Sequence, residues 1–130
     1  MRSQILNEVK TPGRDYVAVY FSFAPNGSSA ISSTGNKGRG VDSVARTSAG
    51  VFTLTLSADY ADLVYAAATV QLATAADMHA QIGTYTAPTA SANATLVVRT
   101  IAVATETDIA ANANNRVNVK LVFRKSSVTP

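Results

Sequence analysis

The stretch Tyr16–Phe23 reads YVAVYFSF, and its alternation decides the fold class. Val17, Val19, Phe21 and Phe23 fall on one face at the two-residue period of a strand, while Tyr16, Ala18, Tyr20 and Ser22 fall on the other. The first face is wholly apolar and is expected to be core. The closing stretch, RVNVKLVFR over 116–124, repeats the device: Val117, Val119, Leu121 and Phe123 share one side, and Asn118, Lys120 and Val122 the opposite one.

Working inward from these two ends, further strands are expected over 41–47, 51–57, 64–73, 78–85 and 94–104. Ser48, Ala49 and Gly50 form the turn of a hairpin whose second strand alternates Val51, Thr53 and Thr55 against Phe52, Leu54 and Leu56. Residues 24–40, APNGSSAISSTGNKGRG, carry four glycines and a proline and read as a long loop and candidate contact segment. Thr105 and Asp108 stand in a capping-box-like relation, but Asn112, Asn114 and Asn115 oppose a long helix, so at most a turn or two is helical there. About seven short strands with polar turns and almost no helix predict an all-β protein. The expected architecture is an antiparallel β-sandwich, jelly-roll-like, over residues 15–130, preceded by an N-terminal arm over 1–14 in which Pro12 and Gly13 interrupt any helix.

The 130 residues suit one domain. Charged residues make up 15% of them, against about 25% in an average soluble domain. Much of the surface is therefore neutral and suited to burial against neighbours. Hydrophobic residues make up 47% of the chain, which excludes a disordered chain. Eleven Lys and Arg against eight Asp and Glu leave a net charge of +3, with the cations scattered from Arg2 to Lys125. Specific nucleic-acid binding is not expected from that scatter, the nearest approaches to a cluster being Lys37 with Arg39 and Arg124 with Lys125. With no cysteine, disulfides and thiolate metal sites are excluded. No apolar run reaches the roughly 18 residues that span a bilayer, and no signal-peptide stretch opens the chain, so synthesis in a cytoplasm without membrane partners is expected.

Catalytic chemistry finds little to work with. His79 is the only histidine, and although Asp77 lies two residues away, no nucleophile motif accompanies it. Asp59, Asp62 and Asp77 lack the spacing of a calcium loop or a glycosidase pair. The glycine-rich Gly35–Gly40 segment leads towards a strand rather than opening a helix behind a Gly-Lys-Ser/Thr, so the phosphate-loop pattern fails. No enzyme activity, cofactor or metal is expected. Ala66, Ala67 and Ala68 sit within one strand, where small side chains permit close approach of another subunit, and a homo-oligomer interface is expected there. The irregular, basic arm and loop make Arg2, Lys10, Arg14, Lys37 and Arg39 candidate partner contacts.

The hairpin VARTSAGVFTLTLSADYADLVYAAATVQLA, residues 44–73, and the ending ATLVVRTIAVATETDIAANANNRVNVKLVFRKSSV, residues 94–128, together cover half the chain. In style and layout they resemble small virion structural proteins of tailed bacteriophages, most closely capsid decoration or cement proteins. That resemblance implies a protein on the outer capsid surface, made in the host cytoplasm, that binds the major capsid protein and stabilises the head. It also implies a homo-oligomer, a trimer ahead of a dimer, and makes the basic arm and loop residues capsid contacts. A tail or fibre-associated receptor-binding module is the alternative within the same class.

Overall fold

In the computed structural model, which describes residues 16–57 and 62–124, nine strands form two antiparallel sheets facing one another. The strands are β1 (Tyr16–Phe23), β2 (Lys37–Gly38), β3 (Val41–Ser48), β4 (Val51–Leu56), β5 (Asp62–Gln71), β6 (Met78–Thr86), β7 (Thr95–Ala102), β8 (Thr105–Glu106) and β9 (Arg116–Arg124). The first sheet has the order β2-β1-β9-β5, and the second β3-β4-β7-β6 with β8 paired to β7. The chain changes sheet at Arg39–Gly40, again before β5, again at 72–77, and finally at 107–115. The expected β-sandwich is thus present.

β1 and β9, far apart in sequence, pair along eight residues from Val117↔Phe23 to Arg124↔Tyr16. Their apolar faces bury as the alternation predicts: Phe21, Phe23, Val117, Val119, Leu121 and Phe123 are all in the core. Phe52, Leu54 and Leu56 of β4 and Leu96 and Val98 of β7 close over them from the second sheet. Phe23 and Phe52 meet across the sandwich with ring centroids 5.1 Å apart and planes tilted by 57°, a geometry that aromatic quadrupoles favour. On one side the two sheets also touch edge to edge through β5 and β6, and Tyr85 of β6 reaches Phe123 of β9 with ring centroids 6.1 Å apart. Burial there pushes the Tyr85 hydroxyl above its ordinary pKa, and the charge of Asp62 adds to the shift.

The peripheral strands keep their apolar residues inward only by means of bulges. In β5, Leu63, Ala66, Ala68 and Val70 all pack on the core, yet Leu63 has the wrong parity for the other three. The pairing with β9 jumps from Val122↔Tyr65 to Phe123↔Leu63, so Val64 is an extra residue and the parity changes there. β6 does the same between Ile82↔Val98 and Tyr85↔Leu96, bringing Met78, Ala80, Ile82 and Tyr85 to one side. β3 has an extra residue at Asp42 and another at Thr47. The second of these lies beside the hairpin turn, next to Arg46 at the rim of the core.

At that rim, Arg46 donates through Nε to Asp108 Oδ1 at 2.9 Å and through a terminal nitrogen to Oδ2 at 2.7 Å. The backbone N–H of Gly50 donates to the same Oδ1 at 2.9 Å. Asp108 therefore ties the 107–115 crossover to the β3–β4 hairpin instead of capping a helix, and no helical turn forms over 105–115. Gly50 has φ of 67°, and a Cβ there would run into the backbone of Thr100 and Thr107, so this turn requires glycine. Asn115 binds the crossover from the other side, accepting from Ala73 N–H at 2.7 Å and donating to the Ala110 carbonyl at 2.9 Å.

The predicted long strand 94–104 ends earlier than its apolar run. Val103 turns with φ of 59°, and the chain folds back as β8. Residues 24–40 are also more ordered than their polarity suggests. Ile31 packs against the core, Ser33–Gly35 forms a 3-10 turn, and Lys37–Gly38 adds to the edge of β1.

Phe52→Ala is expected to cost about 4 kcal/mol, as for other large-to-small changes at fully buried phenylalanines, measurable as a lowered urea midpoint. The Arg46 hydrogen bonds, helped by the Gly50 N–H, hold the Asp108 carboxyl below the usual carboxylate range. The stability it supplies is complete above its unfolded value near 4 and is lost as pH falls through the lower native value. In melts across pH, Asp108→Asn should have the lower Tm at neutral pH, and the gap to wild type should close towards acid.

Candidate functional site

The face of the first sheet turned away from the core is built by the register of β1, β9 and β5. Tyr16, Arg124 and Asp62 form one cross-strand row, Ala18, Val122 and Tyr65 the next, Tyr20, Lys120 and Ala67 the third, and Ser22, Asn118 and Thr69 the fourth. Tyr20 is 63% exposed, Tyr65 53% and Tyr16 41%. Three half-open tyrosines on one face, separated by alanine and valine, make an aromatic surface with small residues between its projections. Lys120 Nζ lies 5.5 Å from the centroid of the Tyr20 ring, a cation–π contact that leaves the ammonium in solvent.

Between Tyr20, Ala67, Lys120 and β2 lies a groove of about 510 Å³, with Phe21, Ser22, Thr69, Asn118 and Val119 in its walls and Lys37 at its rim. Its depth comes from Ala67 and Gly38. Gly38 has φ of 106°, and a Cβ there would run into the Tyr20 carbonyl, so β2 approaches β1 this closely only because position 38 is glycine. Arg116 fixes the loop behind it, donating to Ser22 Oγ at 2.6 Å and to the Gly35 carbonyl at 2.6 Å. A second groove of about 370 Å³ follows the edge of β1, lined by Val17, Ala18, Val19, Tyr20, Arg39 and Gly40.

Charge is segregated between the sheets. Of the charged residues among those described, Lys37, Arg39, Arg116, Lys120 and Arg124 belong to the first sheet and its exit, and Asp62 is the single carboxylate of that sheet among the described residues. Arg46 and Arg99, on the second sheet, are each paired, the latter to Glu106 at 2.9 Å. Among the described residues no carboxylate pairs with Lys37, Arg39 or Lys120.

The residues singled out by sequence divide accordingly. Lys37 and Arg39 are exposed and flank the two grooves. Arg2, Lys10 and Arg14, with the arm that carries them, lie outside the described residues. Of the three alanines only Ala67 reaches the outer face; Ala66 and Ala68 pack against the core, because the two-residue period turns them inward with Val70. His79 is exposed on β6 in the second sheet, opposite Ile101. Among the described residues no group of three or more His, Asp or Glu could hold a metal ion. Tyr65, Lys120 and Val122 were not legible as site residues. Their strands alternate plainly, but which strands lie side by side is a matter of sheet order.

Comparison with known proteins finds no matching family model, no matching curated protein and no matching solved structure.

Gly38→Ala is expected to detach β2 from β1 and to destabilise the fold by about 2 kcal/mol, from left-handed strain together with the clash against Tyr20. A lowered urea midpoint, with faster amide exchange over 37–38, would show it.

Proposed function

We propose that this protein is a structural component of a tailed-bacteriophage particle, a capsid decoration protein that binds the outer shell and stabilises the head without catalysis. The observation that carries the reading is the outer face of the first sheet. Its three exposed tyrosines give it the aromatic enrichment of a surface that other protein covers, since tyrosine anchors recur at interface centres. The face serves self-assembly, with Ala67 and Tyr20 at its centre. The basic exit from the sheet, at Arg39, joins Arg2, Lys10 and Arg14 of the N-terminal arm in contacting the major capsid protein, and Lys37 stands at the boundary between the two surfaces. The resemblance of residues 44–73 and 94–128 to phage cement proteins supplies the partner. Repetition of a modest contact over many equivalent shell sites gives firm attachment through avidity.

The test is to mix purified protein with undecorated capsid shells, sediment them, and image the pellet by cryo-electron microscopy. Ordered density on the outer shell is expected, with occupancy reduced when residues 1–14 are deleted. Bare shells would overturn the decoration reading in favour of a tail or fibre module. Full occupancy without the arm would remove the arm from the contact.

A further inference from the structure

The turn between β7 and β8 is built at a cost that its own fold does not explain. Val103 holds φ of 59°, a left-handed conformation in which a β-branched residue is a steric outlier and glycine or asparagine would sit with less strain. Its side chain does not repay the strain by burial. At 76% exposed it is the most open of the large hydrophobic residues described. Strain held at an exposed apolar tip is the pattern of a side chain presented to a partner.

We infer that the Val103 tip seats in the groove between Tyr20, Ala67 and Lys120 on a second copy of this chain. Three features of the two surfaces match. The tip is narrow, Val103 being followed by the small residue Ala104, and the groove of about 510 Å³ is deepened by Ala67 and Gly38. Tyr20, Ala67 and the methylene stems of Lys37 and Lys120 give the groove apolar surface for a valine, while Phe21 and Val119, whose side chains face the core, contribute backbone to it. The charges are also complementary. The Val103 N–H donates to the Asp77 carbonyl at 3.3 Å, which places Asp77 beside the tip. Asp77 is exposed, and no cation pairs with it among the described residues. The groove carries Lys37 and Lys120, both exposed and neither paired with a carboxylate among the described residues.

Pairing the first sheet's face with itself would oppose like charges, whereas tip into groove opposes unlike ones. Such a contact joins two different patches and closes either reciprocally in a dimer or around a ring. The inference rests on reading the sheet face as an assembly surface and does not require the shell as destination.

Sedimentation velocity on the full chain tests it. Wild-type protein is expected to self-associate, and Val103→Gly to remain monomeric with a Tm no lower than wild type, because glycine relieves the turn. A residue that merely supported the fold would lower Tm instead. Lys120→Asp and Asp77→Lys should each weaken association about tenfold, and the Lys120→Asp/Asp77→Lys double variant should recover it, since the pair is restored with its sign reversed. A wild-type protein that stays monomeric, a Val103→Gly variant that still associates, or a double variant without recovery would each overturn the contact. Protein that associates through this contact yet leaves shells bare would support it while removing the decoration reading.

Discussion

The pairing of β1 with β9 is the constraint on which the rest of the molecule depends. β9 is hydrogen-bonded on both sides, to β1 and to β5, and its four inward residues, Val117, Val119, Leu121 and Phe123, line the middle of the core. Because the partners come from opposite ends of the described chain, every intervening element must fit between them. The chain therefore crosses between the sheets four times, and each later feature serves one of those crossings. The Arg46–Asp108 clasp and the Asn115 bridges hold the final crossover, which delivers β9 to its place. The Arg39–Gly40 exit carries the chain from the edge of the first sheet to the second.

The same constraint creates the candidate site. A strand that commits alternate residues to the core must present the others outward. With β1, β9 and β5 side by side, Tyr16, Tyr20, Val122, Lys120 and Ala67 therefore share one surface. Nothing in the core requires that face to be aromatic or basic. Across the sandwich the cations are paired with carboxylates, Arg46 with Asp108 and Arg99 with Glu106, whereas among the described residues no carboxylate pairs with Lys37, Arg39 or Lys120. A modest net charge thus conceals two unlike faces, and that asymmetry, rather than the overall +3, is what a partner meets.

Much of the fold was legible in the sequence because inward and outward residues alternate so cleanly in β1, β4, β7 and β9. Phe52, Leu54 and Leu56, for example, are buried as their spacing predicts. The reading was weaker wherever parity changes. One bulge at Val64 lets Leu63 join Ala66, Ala68 and Val70 at the core, a change of parity that the residue pattern of the strand does not announce. The continuous apolar run 94–104 gave no warning of the reversal at Val103, since a valine is among the residues least suited to that turn. Asp108 resembled a cap from its spacing to Thr105, while its actual partner, Arg46, is 62 residues away.

The class of structure follows from the order of residues alone: periodic burial specifies strands, and two-faced strands without helices specify a sandwich. Which outward residues become neighbours is settled only when the strands pack together. Strand order and bulges depend on how the strands compete for a common core, and periodicity along one strand carries no information about that competition. Lys37, Lys120 and Arg124 are scattered in the chain and share one sheet face in space, beside three tyrosines drawn from two strands.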